Sequence, residues 1–351
     1  MYRATRLLGL LACCGSVVVA AAEWRVLDLG TPDPRVTEIR VAAMNDRGEI
    51  AGGVTLATSS GPPERAAFVY SWGRFHLFGN TTSEPPKVVR DVNRSGVVVG
   101  ADTSAFVYDD AFTRIPGIAG FGVAHAISDR GTVVGTMATA SGWRAFEHRN
   151  GITTELGTLG GDFSEAYGIN RAGEIVGHSR LEGASHTRAF VIERGGAMRA
   201  LPPLGGRYSS AYAINNRGDV AGAAENENLS KRAFLYSNGA MIDLGTLPGF
   251  STSDAVALND KRQVVGIAVR FAAGDPAVHP FMWQSGSMTD LAALPELAAA
   301  GFTSWQLRGE HVGWNGGEGP GIAINEHGQI AGAGLKDGRP HLFLLVAAKG
   351  R

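Results

Sequence analysis

Four side chains in the middle of the chain are of the types that carry acid–base or metal chemistry. His178 and His186 lie in one segment of variable length, and Asp162 and Glu165 lie on the connection before it. Imidazoles and carboxylates exchange protons near neutral pH and also bind divalent metals. The spacing matches no familiar metal motif, and charged residues in loops are mostly exposed. The cluster is therefore a candidate acid–base or metal site, with ordinary solvated loop residues as the alternative.

A second group of residues, closer to the C-terminus, could bind a ligand. Its members stand close together: Trp305, Arg308, Glu310, His311 and Trp314. Flat aromatic faces can cover the apolar faces of a sugar ring while neighbouring polar groups bond its hydroxyls. The competing interpretation is that both indoles pack this segment onto the rest of the fold, because Trp is highly buried on average.

Other catalytic signatures are absent from the sequence. It contains no Gly-x-Ser-x-Gly elbow, no His-Glu-x-x-His pair and no phosphate loop. Cys13 and Cys14 are the two cysteines of the chain, and both fall in the segment described next. We therefore predict no catalytic residue and no cofactor, and leave metal binding and enzyme activity open.

Residues 1–22 are typical of an export signal. Arg3 and Arg6 precede an apolar run, and the small residues at 20–22 favour cleavage before Glu23. The run is too short for a comfortable membrane span. An alternative, which we rank second, is a lipid anchor on Cys13. We predict a secreted or periplasmic protein whose mature chain has no cysteine and therefore depends on packing rather than disulfides.

The charge balance excludes some partners. The 351 residues carry a formal net charge of −1, with 19% charged and 44% hydrophobic residues. This composition is ordinary for a globular protein. Because there is no basic excess or Lys/Arg cluster, we predict no nucleic-acid partner, and we expect a monomer without a transmembrane segment.

The elements that position these candidates follow from a repeat. Seven copies can be aligned on one polar residue that precedes a tight turn: Asn45, Asn93, Ser128, Asn170, Asn215, Asn259 and Asn325. A Gly stands seven residues after every one of these anchors, and each copy has a Phe before its third apolar run. The intervals between anchors are 48, 35, 42, 45, 44 and 66 residues. A repeat of this period indicates a solenoid or a propeller.

Each copy contains four short apolar segments separated by Asn- and Gly-rich turns, as in 211–245. Short strands with such turns and no helical period indicate all-β structure, and four per repeat indicate a seven-bladed β-propeller. The seventh copy lacks a fourth strand, and 24–30 ("WRVLDLG") resembles the fourth strand of the other copies. We predict that this N-terminal strand completes the last blade. Residues 23–351 then form a single domain, with an insertion at about 294–321 between blades 6 and 7. An open solenoid or a ring of six or eight blades are the alternatives.

The motifs "GTLGGDFSEAYGINRAGEIVGHS", "HPFMW" and "MIDLGTLPG" resemble those of the HAF-repeat family of bacterial extracellular proteins. The family's His-Ala-Phe triplet is degenerate here, reading Arg-Ala-Phe three times and His-Pro-Phe at 279–281. The resemblance covers nearly the whole mature chain. It implies an exported, propeller-like repeat protein and no catalytic residue.

In a propeller the turns between strands 1 and 2 and between strands 3 and 4 share one face. Here those turns are short and uniform. The segments on the opposite face vary in length: 55–65, 178–187, 223–231 and 268–279. Variable loops on a rigid frame commonly carry binding sites. We therefore expect a binding or scaffold protein for an extended ligand, either a polysaccharide or an extracellular protein segment. The alternative is a polysaccharide-active enzyme, hydrolase or lyase, that uses this same face.

Overall fold

The computed structural model describes residues 24–79, 88–272, 275–307 and 320–348. The predicted signal peptide and the alternative anchor at Cys13 lie outside these ranges. In the described part of the chain, no helix is long and apolar enough to cross a membrane.

Six consecutive segments each form an antiparallel sheet of four strands in chain order, which confirms the predicted blades. Blade 1 consists of β2 (Val36–Met44), β3 (Ile50–Leu56), β4 (Glu64–Ser71) and β5 (Arg74–Phe78). Blade 2 consists of β6 (Val88–Val92), β7 (Val98–Ala101), β8 (Ala105–Asp109) and β9 (Ala111–Arg114). Blade 3 consists of β10 (Gly122–Ile127), β11 (Val133–Thr139), β12 (Gly142–Arg149) and β13 (Ile152–Glu155). Blade 4 consists of β14 (Gly160–Ile169), β15 (Ile175–Leu181), β16 (Thr187–Ile192) and β17 (Met198–Ala200). Blade 5 consists of β18 (Gly205–Ile214), β19 (Val220–Asn226), β20 (Lys231–Ser237) and β21 (Ala240–Asp243). Blade 6 consists of β22 (Thr252–Leu258), β23 (Val264–Ala272), β24 (Asp275–Gln284) and β25 (Ser287–Asp290).

The seventh blade contains both ends of the described chain. Its strands are β26 (Phe302–Trp305), β27 (Ile322–Ile324), β28 (Ile330–Lys336), β29 (Arg339–Ala347) and β1 (Trp24–Gly30). The N-terminal strand β1 pairs antiparallel with β29 along its length, from Trp24 opposite Ala347 to Gly30 opposite Leu342. The prediction that the N-terminal strand closes the ring is confirmed. The pairing also covers the edge that β29 would otherwise expose.

The repeated Gly and Phe form one packing unit in every blade. They stand directly opposite each other on the second and third strands, as Gly222 and Phe234 do in blade 5. A Cβ on Gly222 would lie 2.0 Å from the carbonyl oxygen of Ser210 and 2.9 Å from the Phe234 ring. No larger residue fits without displacing backbone. Phe234 is fully buried and packs with Val176 and Ala189 of blade 4. The repeated Phe therefore packs between neighbouring blades.

The repeated Asn serves two purposes. As predicted, it caps the turn between strands 1 and 2: Asn215 Oδ1 accepts the backbone N–H groups of Arg217 and Asp219 at 3.0 and 2.9 Å. The second purpose was not predicted. Asn215 Nδ2 also donates to the carbonyl of Asn259, the anchor of the next blade, at 3.1 Å. Six anchors make this bond at 2.8 to 3.4 Å, including Asn325 back to Asn45. The amides thus form a ring of hydrogen bonds that is interrupted at Ser128.

Part of the predicted insertion, 294–321, belongs to the sheet of blade 7. The insertion begins with a short helix, α1 (Pro295–Ala299), which ends before Gly301. Phe302–Trp305, however, does not lie outside the blades: β26 pairs with β28 and forms the first half of the innermost strand of blade 7. β27 forms its second half. The prediction was wrong here because the intervening residues separate the half-strand from its anchor and remove the spacing that identifies it elsewhere.

Candidate functional site

The variable-loop face, defined here as the face with the hairpins between strands 2 and 3 and the connections between blades, carries exposed aromatic rings. Four of them come from blades 3, 5 and 6: Trp143, Phe121, Tyr208 and Phe271, with exposed fractions of 39, 44, 49 and 65%. Half-buried rings of Phe163 and Phe250 lie at the starts of blades 4 and 6. Neighbouring blades 3 to 6 therefore each contribute a ring to the same face.

Two of these rings form a pair at the edge of blade 3. Phe121 and Trp143 meet edge to face, with ring centroids 5.6 Å apart. The backbone holds both in place, because Ala138 donates its N–H to the Phe121 carbonyl at 2.9 Å and stands opposite Trp143 in the ladder. The pair is fixed by strand pairing rather than by a long loop.

Arginines lie over two of the other rings. The guanidinium carbon of Arg180 is 5.4 Å from the centroid of Phe163, and that of Arg270 is 5.4 Å from the centroid of Phe250. Asp162 holds Arg180 by an ion pair of 3.0 Å. The face therefore combines flat apolar surface with hydrogen-bond donors, as in cation–π arrangements.

The structure brings together two of the four predicted acid–base residues. Glu165 and His178 stand opposite each other in β14 and β15, with Oε2 and Nε2 3.3 Å apart. Asp162 is exposed and pairs with Arg180 instead, and His186 packs edge-on against Tyr208, 5.8 Å between centroids. Among the described residues, no three His, Asp or Glu side chains converge as a metal site.

His178 was predicted to lie in a loop, but the structure places it in strand β15. β15 extends past the repeated Gly, and the ladder to β16 places His178 opposite Ala189, so the ring is buried, with 2% exposure. It stacks on Phe163 at 5.5 Å. The Tyr167 hydroxyl donates to Glu165, and burial, followed by the charge of Glu165, raises the pKa of Tyr167 well above its ordinary value. The Glu165–His178 pair therefore forms a packed wall behind the channel described next.

The central channel contains a set of side chains that the sequence analysis missed. In six innermost strands the register shifts around one residue close to the anchor, which therefore has no ladder partner: Ala42, Arg90, His125, Tyr167, Tyr212 and Val256. Each stands three residues before its anchor, and all six line one cavity of about 240 Å³. A bulge redirects the side chain at the point where it breaks the ladder. This position was detectable from the sequence, because its residue type changes between copies while its neighbours repeat.

Charged groups cross the channel mouth on the uniform-turn face. Arg171 of blade 4 reaches Asp46 of blade 1 and Asp129 of blade 3, at 3.2 and 2.9 Å. The N–H of Glu326 also donates to Asp46 at 3.1 Å. This mouth is therefore bridged by ion pairs between blades.

Of the predicted ligand-binding residues, only Trp305 lies in the described ranges; Arg308, Glu310, His311 and Trp314 lie outside them. Trp305 packs edge-on against Phe343 at 4.7 Å. Its ring also covers Gly332, where an added Cβ would come within 2.3 Å of the indole. For Trp305 this packing favours the structural interpretation over ligand binding, because the indole holds its segment against the propeller.

The comparisons with known proteins bear on the fold alone. Neither a family model nor a curated protein sequence matches this chain. Solved structures do. An oligogalacturonate lyase from Vibrio parahaemolyticus is similar with a TM-score of 0.58 at 8% identity, over 92% of this chain and 94% of that one. A puromycin-hydrolyzing peptidase from Mycobacterium tuberculosis gives 0.56 at 12% identity, over 92% and 54%. At such low identity these matches support the propeller architecture and no shared activity.

Proposed function

We propose that the protein is a binding module for an extended ligand, a polysaccharide chain, which lies across the variable-loop face. The observation that carries this proposal is the row of rings from blades 3 to 6 on one face, since a monomeric protein seldom exposes several large aromatic side chains together without a use for them. The rings of Trp143 and Tyr208 would stack on sugar faces, and Arg180 and Arg270 would donate to hydroxyl oxygens.

The test uses affinity electrophoresis of the mature protein in gels containing a neutral glucan, a galactomannan, a xylan or a polygalacturonate. At least one polymer should retard the protein. Trp143→Ala and Tyr208→Ala should each weaken this retardation about tenfold, which is the loss expected from about 1.4 kcal/mol of stacking. Retardation equal to that of the parent protein in both variants would contradict the proposal, as would retardation by none of the polymers.

Trp72 supplies a matched control. It is the most exposed large aromatic residue of the described chain, at 88%, and it lies in the β4–β5 turn on the opposite face. Trp72→Ala removes the same kind of surface and should leave retardation unchanged. A loss with Trp72→Ala as large as with Trp143→Ala would indicate general stickiness rather than a binding face. Retention of an extracellular protein without retention by any polymer would point to a protein segment as the ligand.

An enzymatic role on a polysaccharide is the second candidate. The buried contact between Glu165 and His178, with Tyr167 bonded to the same carboxylate, is the observation in its favour. Incubation with the same polymers should then yield new reducing ends or unsaturated sugar ends. Glu165→Gln should abolish this yield while leaving retardation intact.

We also propose that the protein is exported and that it belongs with the HAF-repeat proteins. The N-terminal basic and apolar pattern and the repeat motifs support this. N-terminal sequencing of the protein recovered from the extracellular or periplasmic fraction should read from Glu23. Recovery of an intact N-terminus from the cytoplasm would contradict export.

A further inference from the structure

The cavity in the central channel is a second place where this protein could hold a ligand. It has a volume of about 240 Å³ and is lined by residues of all seven innermost strands. Since ligand sites are concave and combine apolar walls with a few convergent polar groups, the chemistry of its wall decides what it could take.

The wall is divided into two arcs. Blades 2 to 5 contribute polar side chains, namely Arg90, Asp91, His125, Tyr167 and Tyr212. Blades 6, 7 and 1 contribute Val256, Ile322 and Ala42 at the equivalent position. The polar residues are thus gathered on one side of the channel, although the repeat would allow the same residue type in every blade.

Asp91 departs from the repeat most clearly. The position two residues before the anchor is Ala or Gly in the other six blades. Asp91 instead places a carboxylate there, which accepts the N–H groups of Val92 and Ile127 at 2.8 and 2.9 Å. Burying polar groups in a channel costs free energy unless they are paired, so simple filling of the axis would favour apolar side chains here as well.

The charges of the wall do not favour an anion. Arg90 contributes one positive charge, and the carboxylates of Asp91 and Glu165 lie in or directly behind the same arc. Burial, together with the charges of Arg90 and His178, keeps the pKa of His125 well below its ordinary value, so its imidazole is neutral at pH 7. A ligand with a carboxylate or phosphate would meet at least as much negative as positive charge.

The aromatic geometry suits a ring-shaped ligand. Tyr167 and His125 have centroids 4.6 Å apart, and Tyr167 and Tyr212 meet edge to face at 5.6 Å. Their planes and the aliphatic arc provide apolar surface, while the guanidinium, carboxylate and imidazole groups provide donors and acceptors around it. We propose that this cavity binds a small neutral cyclic polyol of the size of one monosaccharide.

The proposal does not depend on the variable-loop face. Arg171 bridges the mouth on the uniform-turn face, so a ligand would enter from the other side. Trp143 belongs to that other face and not to the cavity. A variant there can therefore separate the two sites: loss of polysaccharide retardation with retained monosaccharide binding would leave this proposal standing and concern the face alone.

The experiment is isothermal titration calorimetry of the mature protein, supported by saturation-transfer NMR. The neutral probes are D-glucose, D-galactose, D-mannose and myo-inositol, and the charged matched probes are D-glucuronate and D-galacturonate. At least one neutral probe should bind with one site per chain, and both uronates should bind at least tenfold more weakly than that probe. Trp143→Ala should bind like the parent protein.

Two cavity variants complete the test, each checked for folding by circular dichroism. Tyr212→Phe removes one hydroxyl and should weaken binding several-fold. Ala42→Leu fills the cavity from its apolar side without removing a polar contact and should abolish binding. If no neutral probe binds at millimolar concentration, if the uronates bind more tightly, or if both folded variants bind like the parent protein, the proposal is wrong.

Discussion

The interrupted ring of amides predicts that one substitution should stabilise the protein. Ser128 occupies the anchor of blade 3, and its Oγ accepts the N–H of Thr132 at 3.1 Å. A serine has no amide N–H2, so blade 3 does not repeat the bond that the Asn anchors donate to the next blade. Ser128→Asn should supply that bond to the carbonyl of Asn170 and complete the ring.

The magnitude follows from the bonds gained. One inter-blade hydrogen bond and one additional bond within the turn contribute about 0.5–1.5 kcal/mol each. Ordering the longer side chain costs on the order of 0.5 kcal/mol. We therefore expect a net gain of about 1 kcal/mol in the free energy of unfolding. Removal of an existing Asn anchor should have a larger effect on stability. Asn215→Ala removes two bonds that the buried side chain accepts and two that it donates, and it should lower the free energy of unfolding by about 3 kcal/mol.

The assay is equilibrium unfolding in guanidinium chloride, with the slope m compared between variants so that a shifted midpoint can be attributed to stability. Ser95→Asn makes the same chemical change at an exposed position of the blade 2 turn and should leave the midpoint unchanged. If Ser128→Asn has the midpoint of the parent protein at equal m, the amide ring does not contribute to stability as argued. Equal gains with Ser95→Asn would also refute the reasoning, because they would reflect turn propensity alone.

Three further perturbations test the frame and the channel. Phe234→Ala should lower the free energy of unfolding by about 3–5 kcal/mol, whereas Ile242→Ala, 41% exposed on the same blade, should cost less than about 1 kcal/mol; similar losses in a denaturant series would place Phe234 outside the core. Deletion of 24–30 should expose the edge of β29 and give a protein that aggregates in light scattering, and an unchanged melting temperature and solubility would show that the ring closes otherwise. Burial raises the pKa of Asp91 to about 6 from 3.8, so between these values the folded state binds more protons than the unfolded one. Stability should then fall as pH rises through this window and level off above it; a parent protein and an Asp91→Asn variant with parallel pH profiles would contradict this.

The sequence predicted the frame well because the frame repeats. The recurrence of Gly222 and Phe234, the turn Asn residues and the strand 24–30 each follow from a pattern that recurs or is completed elsewhere in the chain. Seven blades and the closure by the N-terminal strand could be inferred from these residues without knowledge of the structure. The bonds between blades could not, because a turn Asn has the same sequence signal whether or not its Nδ2 reaches the next anchor.

The candidate site was predicted less well, for the opposite reason. His178 and Asp162 were assigned to loops and connections by their distance from the repeat, but extended ladders bury one of them and leave the other on the surface. The polar residues of the channel, such as Arg90 and His125, were missed because alignment of the copies directs attention to residues that recur. The channel residues are distinguished by the fact that their type does not recur from copy to copy.

Functional variation in this fold can therefore concentrate at one layer of the channel. Residues within the ladder are restricted, since Gly222 leaves no room for a side chain and Phe234 must fill the space between blades. The bulged residue has no ladder partner, so Arg, His, Tyr and Val can occupy it without disturbing the sheet.

In blade 7 the innermost strand is interrupted close to the level of the bulged residues in the other blades. Gln306 continues the innermost strand by donating its N–H to Ala333, and Gly321 resumes it by donating to Val41 of blade 1. The chain thus leaves and rejoins the strand close to the point where the other blades have a single bulged residue. The six bulged residues and the interruption of the seventh innermost strand lie at one level of the channel, where the ladder is already broken and additional residues cost least. This level, together with the loops of the variable face, is where the repeat can differ between blades while the ring stays closed.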